Sequence, residues 1–280
     1  MKILMIGGTR FFGKRFVQTM LEQGHSITLL TRGQTSDDFG DSVSRLVADR
    51  TKRDQLASVV KSDYDVVVDN MLMNAQEAID IKAVLSGRTD HFVMTSTLSV
   101  YDPKPGALYE SDFEATKTYP GDDYQLGKRS AEYALSDAPF SVSIMRIPVI
   151  VGPDDYTQRL LTHVKSVKES SKLFFPNPKA KFSYLHAQDA ARALSWFCNP
   201  KHKGVFNISA PNAWTLGELM SCIERITGQK FTYGKAEDAP SPFGISEDYF
   251  MNVDKAREAG FEVDPLDQWM PSLIKDLANL

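Results

Sequence analysis

The stretch MKILMIGGTRFFGKRF, residues 1–16, decides the fold of this 280-residue chain. Residues 2–6 are predominantly apolar and predict a short strand that is buried on both faces of a parallel sheet. After a turn rich in glycine, Phe16 and Met20 lie at helical spacing on the apolar face of a helix that ends near Gly24. The order of strand, glycine turn and helix therefore predicts the first unit of an α/β fold.

The same alternation continues along the first half of the chain. Further strands are predicted at residues 26–30, 44–48, 64–70, 91–97 and 141–147. Helices are predicted between them at residues 53–61, 74–85 and 124–135. Parallel strands joined by helices require right-handed crossovers, so the chain is predicted to form a Rossmann-type, doubly wound parallel sheet.

Two parts of unequal size are expected. Residues 1–150 are predicted to form the Rossmann core and residues 151–280 a smaller, mixed C-terminal lobe, with a segment at about 182–209 returning to the core. Residues 153–181 are rich in Pro, Asn and Lys and predict irregular structure. Further helices are predicted at residues 189–197, 216–226 and 269–280.

Composition argues against several classes of protein. The formal net charge of −4 argues against a nucleic-acid partner, because phosphate binding needs a basic surface. Cys198 and Cys222 are far apart and lack the spacing of metal ligands, which predicts a reducing compartment and no zinc or other metal site. No apolar run approaches the ~20 residues that span a bilayer, so we expect a cytoplasmic protein without a membrane partner.

The turn GGTRFFG, residues 7–13, has the composition of a pyrophosphate site. Gly7 allows a tight turn, Gly13 allows the helix to pack closely against the strand, and the helix N-terminus offers unpaired N–H groups to an anion. Arg10 stands where a middle glycine is expected. It is either a contact to a bound cofactor or a surface arginine on a loop that needs none.

The end of the second predicted strand indicates which cofactor the turn would hold. A site for NAD(H) usually has Asp or Glu there to accept a hydrogen bond from the ribose 2′-hydroxyl, but this chain has Thr31 followed by Arg32. Arg10 and Arg32 are suited to clamp a 2′-phosphate, because guanidinium geometry matches phosphate oxygens. This interpretation favours NADP(H) over NAD(H); the alternative is that Arg32 points into solvent.

A set of catalytic side chains is predicted at and beyond the fifth strand. Tyr124 and Lys128 are spaced i and i+4, which places both on one face of a helix. A lysine cation stabilises the phenolate, so that the tyrosine can exchange a proton near neutral pH. Thr97, at the carboxyl end of its strand, would share the substrate oxygen. The alternative is a structural tyrosine beside a solvated lysine.

Segments spread along nearly the whole chain resemble motifs of the extended and atypical short-chain dehydrogenases/reductases, the group that includes NAD-dependent epimerases and dehydratases. They are GGTRFFG (7–13), VADRTKRDQL (47–56), VVVDNM (66–71), MTSTLSVYD (94–102), YQLGKRSAE (124–132), MRIPVIVGP (145–153), FSYLHAQDAARAL (182–194), VFNISAPNAWTLGELM (205–220) and NVDKAREAGF (252–261). The resemblance implies the fold predicted above, a nicotinamide cofactor, and hydride transfer between C4 of the nicotinamide and a carbinol or carbonyl carbon.

The resemblance also implies roles for individual residues. Tyr124 would be the acid/base and Lys128 would hold the nicotinamide ribose. Thr97 would bind the substrate oxygen, Asp49 would lie by the adenine and Pro148 near the nicotinamide. Cofactor contacts are implied for Gly7, Thr9, Arg10, Phe11, Phe12, Gly13, Arg32, Asp49, Arg50, Asn70, Met71, Thr95, Tyr124, Lys128 and Pro148.

Substrate residues are expected in two places. Ser96 adjoins Thr97, and Arg159 and His186 lie in the C-terminal lobe, which would shape the choice of a small-molecule substrate such as a nucleotide sugar. Arg159 and His186 are also explained as a solvated helix arginine and a capped structural histidine. A homodimer through the tyrosine helix and its neighbour is the association that the resemblance implies.

Three departures from the family pattern keep alternatives open. Arg10 replaces a glycine, Thr31 replaces the ribose-binding acid, and Val149 stands where many sugar-nucleotide enzymes have an asparagine. The stretch GGTRF also resembles a subgroup containing chloroplast RNA-binding proteins, which tend to lose the tyrosine–lysine pair. The chain is thus predicted to be an NADP(H)-using epimerase or dehydratase, a net NADPH-dependent carbonyl reductase, or a non-catalytic binder of NADP(H) or RNA. The intact Tyr124 and Lys128 favour an enzyme.

Overall fold

The computed structural model describes residues 1–115 and 123–280. The strands are β1 Lys2–Ile6, β2 Ser26–Thr31, β3 Ser44–Val47, β4 Val66–Asp69, β5 His91–Thr97, β6 Ser141–Ile147, β7 Val149–Val151, β8 Lys181–Phe182, β9 Tyr184–His186, β10 Gly204–Asn207 and β11 Trp214–Thr215. The α-helices are α1 Phe11–Glu22, α2 Arg53–Val59, α3 Ala75–Leu85, α4 Asp123–Ala134, α5 Arg159–Lys168, α6 Ala187–Phe197, α7 Leu216–Thr227, α8 Asp254–Glu258 and α9 Leu266–Ala278.

The central sheet contains seven parallel strands in the order β10-β6-β5-β4-β1-β2-β3. β1 lies between β2 and β4, with Ile6 paired to Leu30 on one side and to Asp69 on the other. The strand order therefore reverses at β1, and the carboxyl ends of these strands meet at the edge where doubly wound sheets bind ligands. The predicted Rossmann-type fold is confirmed.

The apolar pattern of the first 24 residues explains why β1 lies at the centre of this sheet. Leu4 and Ile6 are buried in a core that includes residues of α3 and α4. Met5 points to the other face, where Phe16 and Met20 of α1 are almost completely buried. Burial of each such side chain contributes about 1.5–3 kcal/mol, so β1 is covered on both faces as its apolar sequence requires.

Several elements of the structure differ from the sequence-based expectation, and α5 and β10 are two of them. Residues 153–181 were expected to be irregular, yet they contain α5, whose buried face includes Leu160, Val164 and Val167. That apolar stripe is short and is flanked by Pro, Asn and Lys, which hid its helical spacing. β10 was not predicted, because its four residues become a strand by pairing with β6 rather than through a pattern of their own.

The chain divides into two compact units. The first contains Met1–Tyr101, Glu110–Ile147 and Ala187–Ile208. The second contains Asp102–Tyr109, Pro148–His186 and Ser209–Leu280. The seven-stranded sheet with α1–α4 and α6 thus belongs to the first unit, and the two-stranded pairs β7–β9 and β8–β11 belong to the second.

The helices of the described residues are too short or too polar to cross a membrane. α9, for example, contains 13 residues, whereas a membrane-spanning helix needs about 20.

Candidate active site

The turn between β1 and α1 has the shape that the predicted pyrophosphate site requires. Gly7 and Gly8 have φ angles of +94° and +88°, in the left-handed region that favours glycine. A Cβ atom on Gly8 would lie 2.7 Å from Cγ of Met5, and one on Gly13 would lie 3.1 Å from Cα of Gly8. Because no side chain fits at these positions without a shift, the start of α1 lies directly against the carboxyl end of β1.

Arg10 occupies the N-cap of α1 with φ −138° and ψ 156°, an extended conformation that any residue adopts. The backbone therefore imposes no need for glycine here. Within the described residues, the Arg10 side chain makes no cap hydrogen bond and the first turn of α1 holds no acidic residue. Phe11 has φ +49° and is buried, and Thr9 and Phe12 are half-buried beside it. This turn fits a pyrophosphate, because its N–H groups and helix dipole favour an anion.

Thr31 and Arg32 follow β2 on the same edge of the sheet. Thr31 Oγ1 accepts a hydrogen bond from the backbone N of Gly33 at 3.1 Å, so it caps the turn that contains the exposed Arg32. Hydrogen bonds from Thr51 hold the pKa of Asp49 below its usual value, and the charge of Arg32 acts in the same direction to a smaller extent. Asp49, predicted to lie by the adenine, and Arg32, predicted to contact a 2′-phosphate, are therefore close enough for their charges to interact at this edge of the sheet.

Arg50 was predicted to contact the cofactor; in the structure its guanidinium binds the protein's own carboxylates, and a cofactor contact stays a prediction. The residue is 8% exposed. Nη2 donates to Oδ2 of Asp69 at 2.8 Å, and Nη1 pairs with Oε2 of Glu77. We call Arg50, Asp69 and Glu77 the loop cluster, since they surround the loop between β4 and α3. The sequence contains one signal for the loop cluster: Asp69 ends the buried strand VVVD, and a buried carboxylate needs a partner of opposite charge.

Three further predicted cofactor residues lie together at the carboxyl ends of β4 and β5. Thr95 Oγ1 donates to Oδ1 of Asn70 at 2.5 Å. The Asn70 side chain also approaches Gly13, where an added Cβ would lie 3.0 Å from its amide nitrogen. Met71 is 49% exposed, and its Cγ would lie 3.2 Å from a Cβ on Gly7. The structure thus brings Asn70, Met71 and Thr95 to the glycine turn, and their contacts to a cofactor stay predictions.

Lys128 of α4 is buried between β5 and the loop that follows β4. It is 4% exposed, and Nζ donates to the carbonyl oxygens of Leu72 at 2.7 Å and Thr95 at 2.9 Å. Burial lowers the pKa of Lys128 from 10.5 to about 8, against the opposing effects of Asp69 and Glu132. An ammonium has three N–H donors, so among the described residues one donor is left for a further acceptor.

Tyr124 and Thr97 complete the predicted catalytic set. Tyr124 lies in the first turn of α4, one turn before Lys128, and is 44% exposed. Thr97 Oγ1 accepts a hydrogen bond from the backbone N of Ser99 at 3.1 Å, so its hydroxyl keeps a proton to donate. The bond from Lys128 to the Thr95 carbonyl attaches α4 to β5 two residues before Thr97. The catalytic roles of these residues stay predictions.

Ser96 corrects the expected substrate contact, because it faces the protein interior. It is 2% exposed, and Oγ donates to Oε1 of Glu132 at 2.5 Å. Arg146 Nη2 donates to Oε2 of Glu132 at 2.6 Å, and Nη1 donates to the Tyr101 hydroxyl at 2.8 Å. The Tyr101 hydroxyl donates to Oδ1 of Asn207 at 2.6 Å. We call Ser96, Tyr101, Glu132, Arg146 and Asn207 the strand cluster, since it joins β5, β6, β10 and α4.

The strand cluster is not among the predicted sites, although the sequence contains one signal for it. Arg146 lies in the predicted strand SVSIMRI, whose last five residues are buried. A charged residue in a buried strand requires a buried partner of opposite charge. Glu132, one helical turn after Lys128 on α4, is that partner and is 1% exposed.

The remaining predicted residues belong to the second unit. Pro148 is buried between β6 and β7, and Val149 begins β7. Arg159 is the exposed first residue of α5. His186 ends β9, and its ring lies 5.3 Å from that of Trp269 in an edge-to-face contact. The contact to Trp269 gives His186 a packing role, and a substrate contact for Arg159 or His186 stays a prediction.

No group of three or more His, Cys, Asp or Glu side chains within residues 1–115 and 123–280 is arranged to hold a metal ion.

The glycine turn beside the switch point of the sheet, together with a tyrosine and a buried lysine on α4, defines a dinucleotide-dependent oxidoreductase of the Rossmann class. The model of the NAD dependent epimerase/dehydratase family matches residues 3–209, and the chain belongs to that family. It is an NAD(P)-dependent, epimerase-like enzyme of the short-chain dehydrogenase/reductase type.

The chain is also similar to individual relatives and solved structures. The chain is 27% identical over 286 residues to the chloroplast stem-loop binding protein of 41 kDa b of Arabidopsis thaliana, covering 91% of this chain and 73% of that protein. The UDP-glucose 4-epimerase of Thermus thermophilus in complex with NAD has a TM-score of 0.76 at 15% identity, over 100% of this chain and 98% of that one. The dTDP-glucose 4,6-dehydratase of Bacillus anthracis in complex with NAD has a TM-score of 0.77 at 19% identity, over 100% and 97%. Both structures share the fold.

Proposed function

We propose that this enzyme transfers a hydride between NADP(H) and a carbinol or carbonyl carbon of a small substrate, with nucleotide sugars as the first substrate class to test. The observation that carries the proposal is the place of Lys128. Its buried ammonium joins the loop after β4 to the end of β5 and lies one helical turn from the exposed Tyr124. A buried ammonium is costly unless it is hydrogen-bonded, and a buried lysine with a lowered pKa beside an exposed tyrosine supports a proton-transfer pair at this position.

The cofactor would be held by residues of the first unit. Gly7, Gly8 and Gly13 allow a pyrophosphate to approach the first turn of α1. Arg10 and Arg32 are the cations proposed for the 2′-phosphate, because no carboxylate follows β2 directly and Thr31 caps the turn instead. When bound, the nicotinamide supplies or accepts the hydride.

The chain's own residues manage the proton. Tyr124 gives a proton to, or takes one from, the substrate oxygen through its phenolic oxygen. Lys128 stabilises the phenolate by its charge and offers its remaining N–H to the nicotinamide ribose. Thr97 donates its hydroxyl proton to the same substrate oxygen, since its Oγ1 already accepts from Ser99.

The proposal is tested by Tyr124→Phe, with Tyr133→Phe as the matched control. Tyr133 is also on α4 and is 54% exposed, so Tyr133→Phe removes the same phenolic hydroxyl from another position of the same helix. We expect Tyr124→Phe to lower kcat by about 10²–10⁴-fold while NADPH affinity stays near that of the unmodified protein. Tyr133→Phe should keep full activity. A Tyr124→Phe enzyme with most of its activity would show that this tyrosine is not the acid/base.

Cofactor preference is tested by titrating the protein with NADPH and NADH and following nicotinamide fluorescence. We expect tighter binding of NADPH, and we expect Arg32→Ala to reduce that preference. Arg53→Ala is the control, because Arg53 is an exposed arginine at the start of α2. A preference for NADH in the unmodified protein would contradict the role given to Arg10 and Arg32.

The absorbance at 340 nm separates the reactions that this site can perform. An epimerase or dehydratase returns its cofactor to the starting state, so substrate is converted with no net change at 340 nm. A carbonyl reductase consumes NADPH in proportion to product. We expect conversion without net consumption among sugar nucleotides, and a panel of aldehydes and ketones tests the reductase alternative.

Association and location are inferred from surface and thiol chemistry. Ile79, Leu126 and Tyr133 are exposed on α3 and α4, which pack against each other, so we infer a homodimer through these helices. Tyr133→Lys should shift the mass measured by light scattering to that of a monomer, whereas Val47→Lys on β3 should not.

Cys198 and Cys222 are free and buried, which agrees with a cytoplasmic location, testable by cell fractionation.

RNA binding is a second candidate function, and one observation favours it. The Arabidopsis thaliana relative with 27% identity is named for stem-loop binding. Filter binding with a stem-loop RNA at about 50 and 200 mM salt would test it, because phosphate-dependent binding weakens steeply with salt. Saturable binding that is unchanged in Tyr124→Phe would support this second function. The net charge of −4 leads us to expect no such binding.

A further inference from the structure

The loop between β4 and α3 is held at three consecutive residues by charged side chains. The backbone N of Met71 donates to Oδ1 of Asp69 at 2.7 Å. The carbonyl oxygen of Leu72 accepts from Nζ of Lys128 at 2.7 Å. The backbone N of Met73 donates to Oε2 of Glu77 at 2.9 Å. The position of Lys128 therefore depends on a loop whose own geometry is set by two carboxylates.

Arg50 joins these two carboxylates from a third element of the fold. It lies between β3 and α2, and its guanidinium contacts Asp69 and Glu77 while it is 8% exposed. Glu77 is also fixed from its own helix, because its backbone N donates to Oδ1 of the N-cap residue Asn74 at 3.0 Å. Arg50 thus braces the carboxylate that follows β4 against the carboxylate that begins α3.

α4, the helix that carries Lys128, packs in close contact with the same loop. A Cβ atom on Gly127 would lie 2.5 Å from the carbonyl oxygen of Met73. α4 can therefore lie at its observed distance only while Met73 keeps its place, and Met73 is held by Glu77.

We propose that the Arg50–Glu77 ion pair is a positioning pair that sets both the place and the charge environment of Lys128 through the loop of residues 70–74. The proposal rests on the function proposed for Lys128 and deepens it. Neither residue touches the reacting atoms; each acts through the loop and through its charge.

Four charged groups face Lys128 from the elements packed around it. Asp69 comes from β4, Glu132 from α4, Arg50 from the segment before α2 and Glu77 from α3. Burial lowers the pKa of Lys128, Arg50 lowers it further, and Asp69, Glu132 and Glu77 raise it. Neutralising Arg50 should therefore raise the pKa of Lys128, whereas neutralising Glu77 should lower it.

The opposite signs separate a positioning role from a merely structural one. Arg50→Gln and Glu77→Gln break the same ion pair, so a structural role predicts the same loss in both. We expect each variant to lower kcat by roughly 10–100-fold with a smaller effect on KM. The alkaline limb of the pH profile should move up in Arg50→Gln and down in Glu77→Gln.

The titration of Lys128 is also measured directly, in the full-length free protein, so that the test does not depend on activity. The protein is labelled with ¹³C-lysine, the Lys128 Cε signal is assigned with Lys128→Met, and its shift is followed against pH. Arg45→Gln is the matched control: Arg45 pairs with both carboxylate oxygens of Asp37 at 2.7 and 2.8 Å, but it is not among the groups that act on Lys128.

Lys128 shifts of opposite sign in the two variants, with no shift in Arg45→Gln, would support the proposal. Shifts in the same direction, or none, would overturn it. If either variant does not fold, Arg50→Lys and Glu77→Asp keep the charges and move only the contacts. In these, a lower kcat with an unchanged Lys128 titration would support positioning, and an unchanged kcat would overturn it. Opposite shifts in a protein whose Tyr124→Phe variant remains active would refute the proposed function alone.

Discussion

The loop cluster and the strand cluster both bury an arginine against carboxylates in the first unit, but they are built differently. In the strand cluster, Arg146 and Glu132 are 1% exposed and match one to one in charge. The remaining donors of Arg146 bond to the Tyr101 hydroxyl and to the carbonyl oxygens of Glu110 and Phe113. Every partner of Arg146 thus belongs to the same unit.

The loop cluster is less balanced. Arg50 faces two carboxylates, Asp69 and Glu77, and its Nε has no hydrogen-bond partner in the parts of the chain that the structure describes. The carboxylates bond to backbone N–H groups of an irregular loop rather than to a strand. In a network such as the strand cluster, the charges cancel and the polar groups are hydrogen-bonded, and such a network stabilises one arrangement of strands and helices. A cluster with excess negative charge beside a buried lysine suits the control of a site.

The largest effect is expected when the strand cluster is broken. Arg146→Met leaves Glu132 buried without a counterion, and such a loss costs about 3–5 kcal/mol of unfolding free energy. Urea denaturation measures it. The control Arg257→Met breaks a surface pair, in which the side chains of Arg257 and Asp254 are 59% and 51% exposed, and it should cost less than about 1 kcal/mol. Equal losses in the two variants would contradict the difference between a buried and a surface pair.

The next effect belongs to Lys128, beside the loop cluster, and depends on pH. The pKa of Lys128 is lowered from 10.5 to about 8 in the folded protein. Between these values the unfolded chain holds a proton that the folded chain has lost, so stability rises with pH across this window. The contribution is roughly 3 kcal/mol in total. The free energy of unfolding, measured by denaturation between pH 8 and 10.5, should therefore rise with pH in the unmodified protein. It should not rise in Lys128→Met. Parallel curves would contradict a buried, destabilised ammonium.

A smaller effect is expected where α4 meets the loop cluster. Ala is favoured over Gly in a helix by about 1 kcal/mol, so Gly127→Ala would stabilise an unconstrained α4. Here the added Cβ would lie 2.5 Å from the Met73 carbonyl oxygen, and overpacking costs about 1–3 kcal/mol. We expect lower stability and lower kcat. A higher free energy of unfolding in Gly127→Ala would contradict the close approach of Gly127 to the Met73 carbonyl oxygen.

The smallest effect is expected on β5, where Ser96 belongs to the strand cluster and the next residue, Thr97, belongs to the proposed site. Ser96→Ala removes one hydrogen bond to the buried Glu132, which keeps its bonds from Arg146, and should cost about 1 kcal/mol. It should leave KM for the substrate unchanged. Thr97→Ala, one residue later on the opposite side of the strand, should change kinetics and barely change stability. A kinetic effect of Ser96→Ala with no loss of stability would restore the substrate contact first expected for it.

The sequence predicted the local parts of this molecule well. β1, the glycine turn and α1 follow from the spacing of apolar residues and glycine within the first 24 residues. Tyr124 and Lys128 were found because an i, i+4 pair is recognisable within one helix. α5 and β10 were missed, since the first has a short apolar stripe and the second becomes a strand only beside β6.

The sites of Arg50 and Ser96 show where sequence reasoning ended. Both residues adjoin motif positions, and both were placed at a ligand. The structure instead turns Arg50 toward Asp69 and Glu77, and Ser96 toward Glu132. Side chains alternate between the faces of a strand, so Ser96 faces away from the side of β5 that carries Thr97, whereas Arg50 lies in the turn after β3, where no short-range pattern indicates its direction.

The sequence by itself determined the Rossmann-type architecture, the family and the presence of a glycine turn, a tyrosine and a lysine, because these depend on residue type and short-range spacing. Only the tertiary structure decided which charges meet. Arg50 lies 19 residues from Asp69, and Arg146 lies 14 from Glu132 and 45 from Tyr101. A buried charge needs a partner, but many carboxylates in the sequence could serve, and the packing of strands and helices selects the one that lies within hydrogen-bond distance.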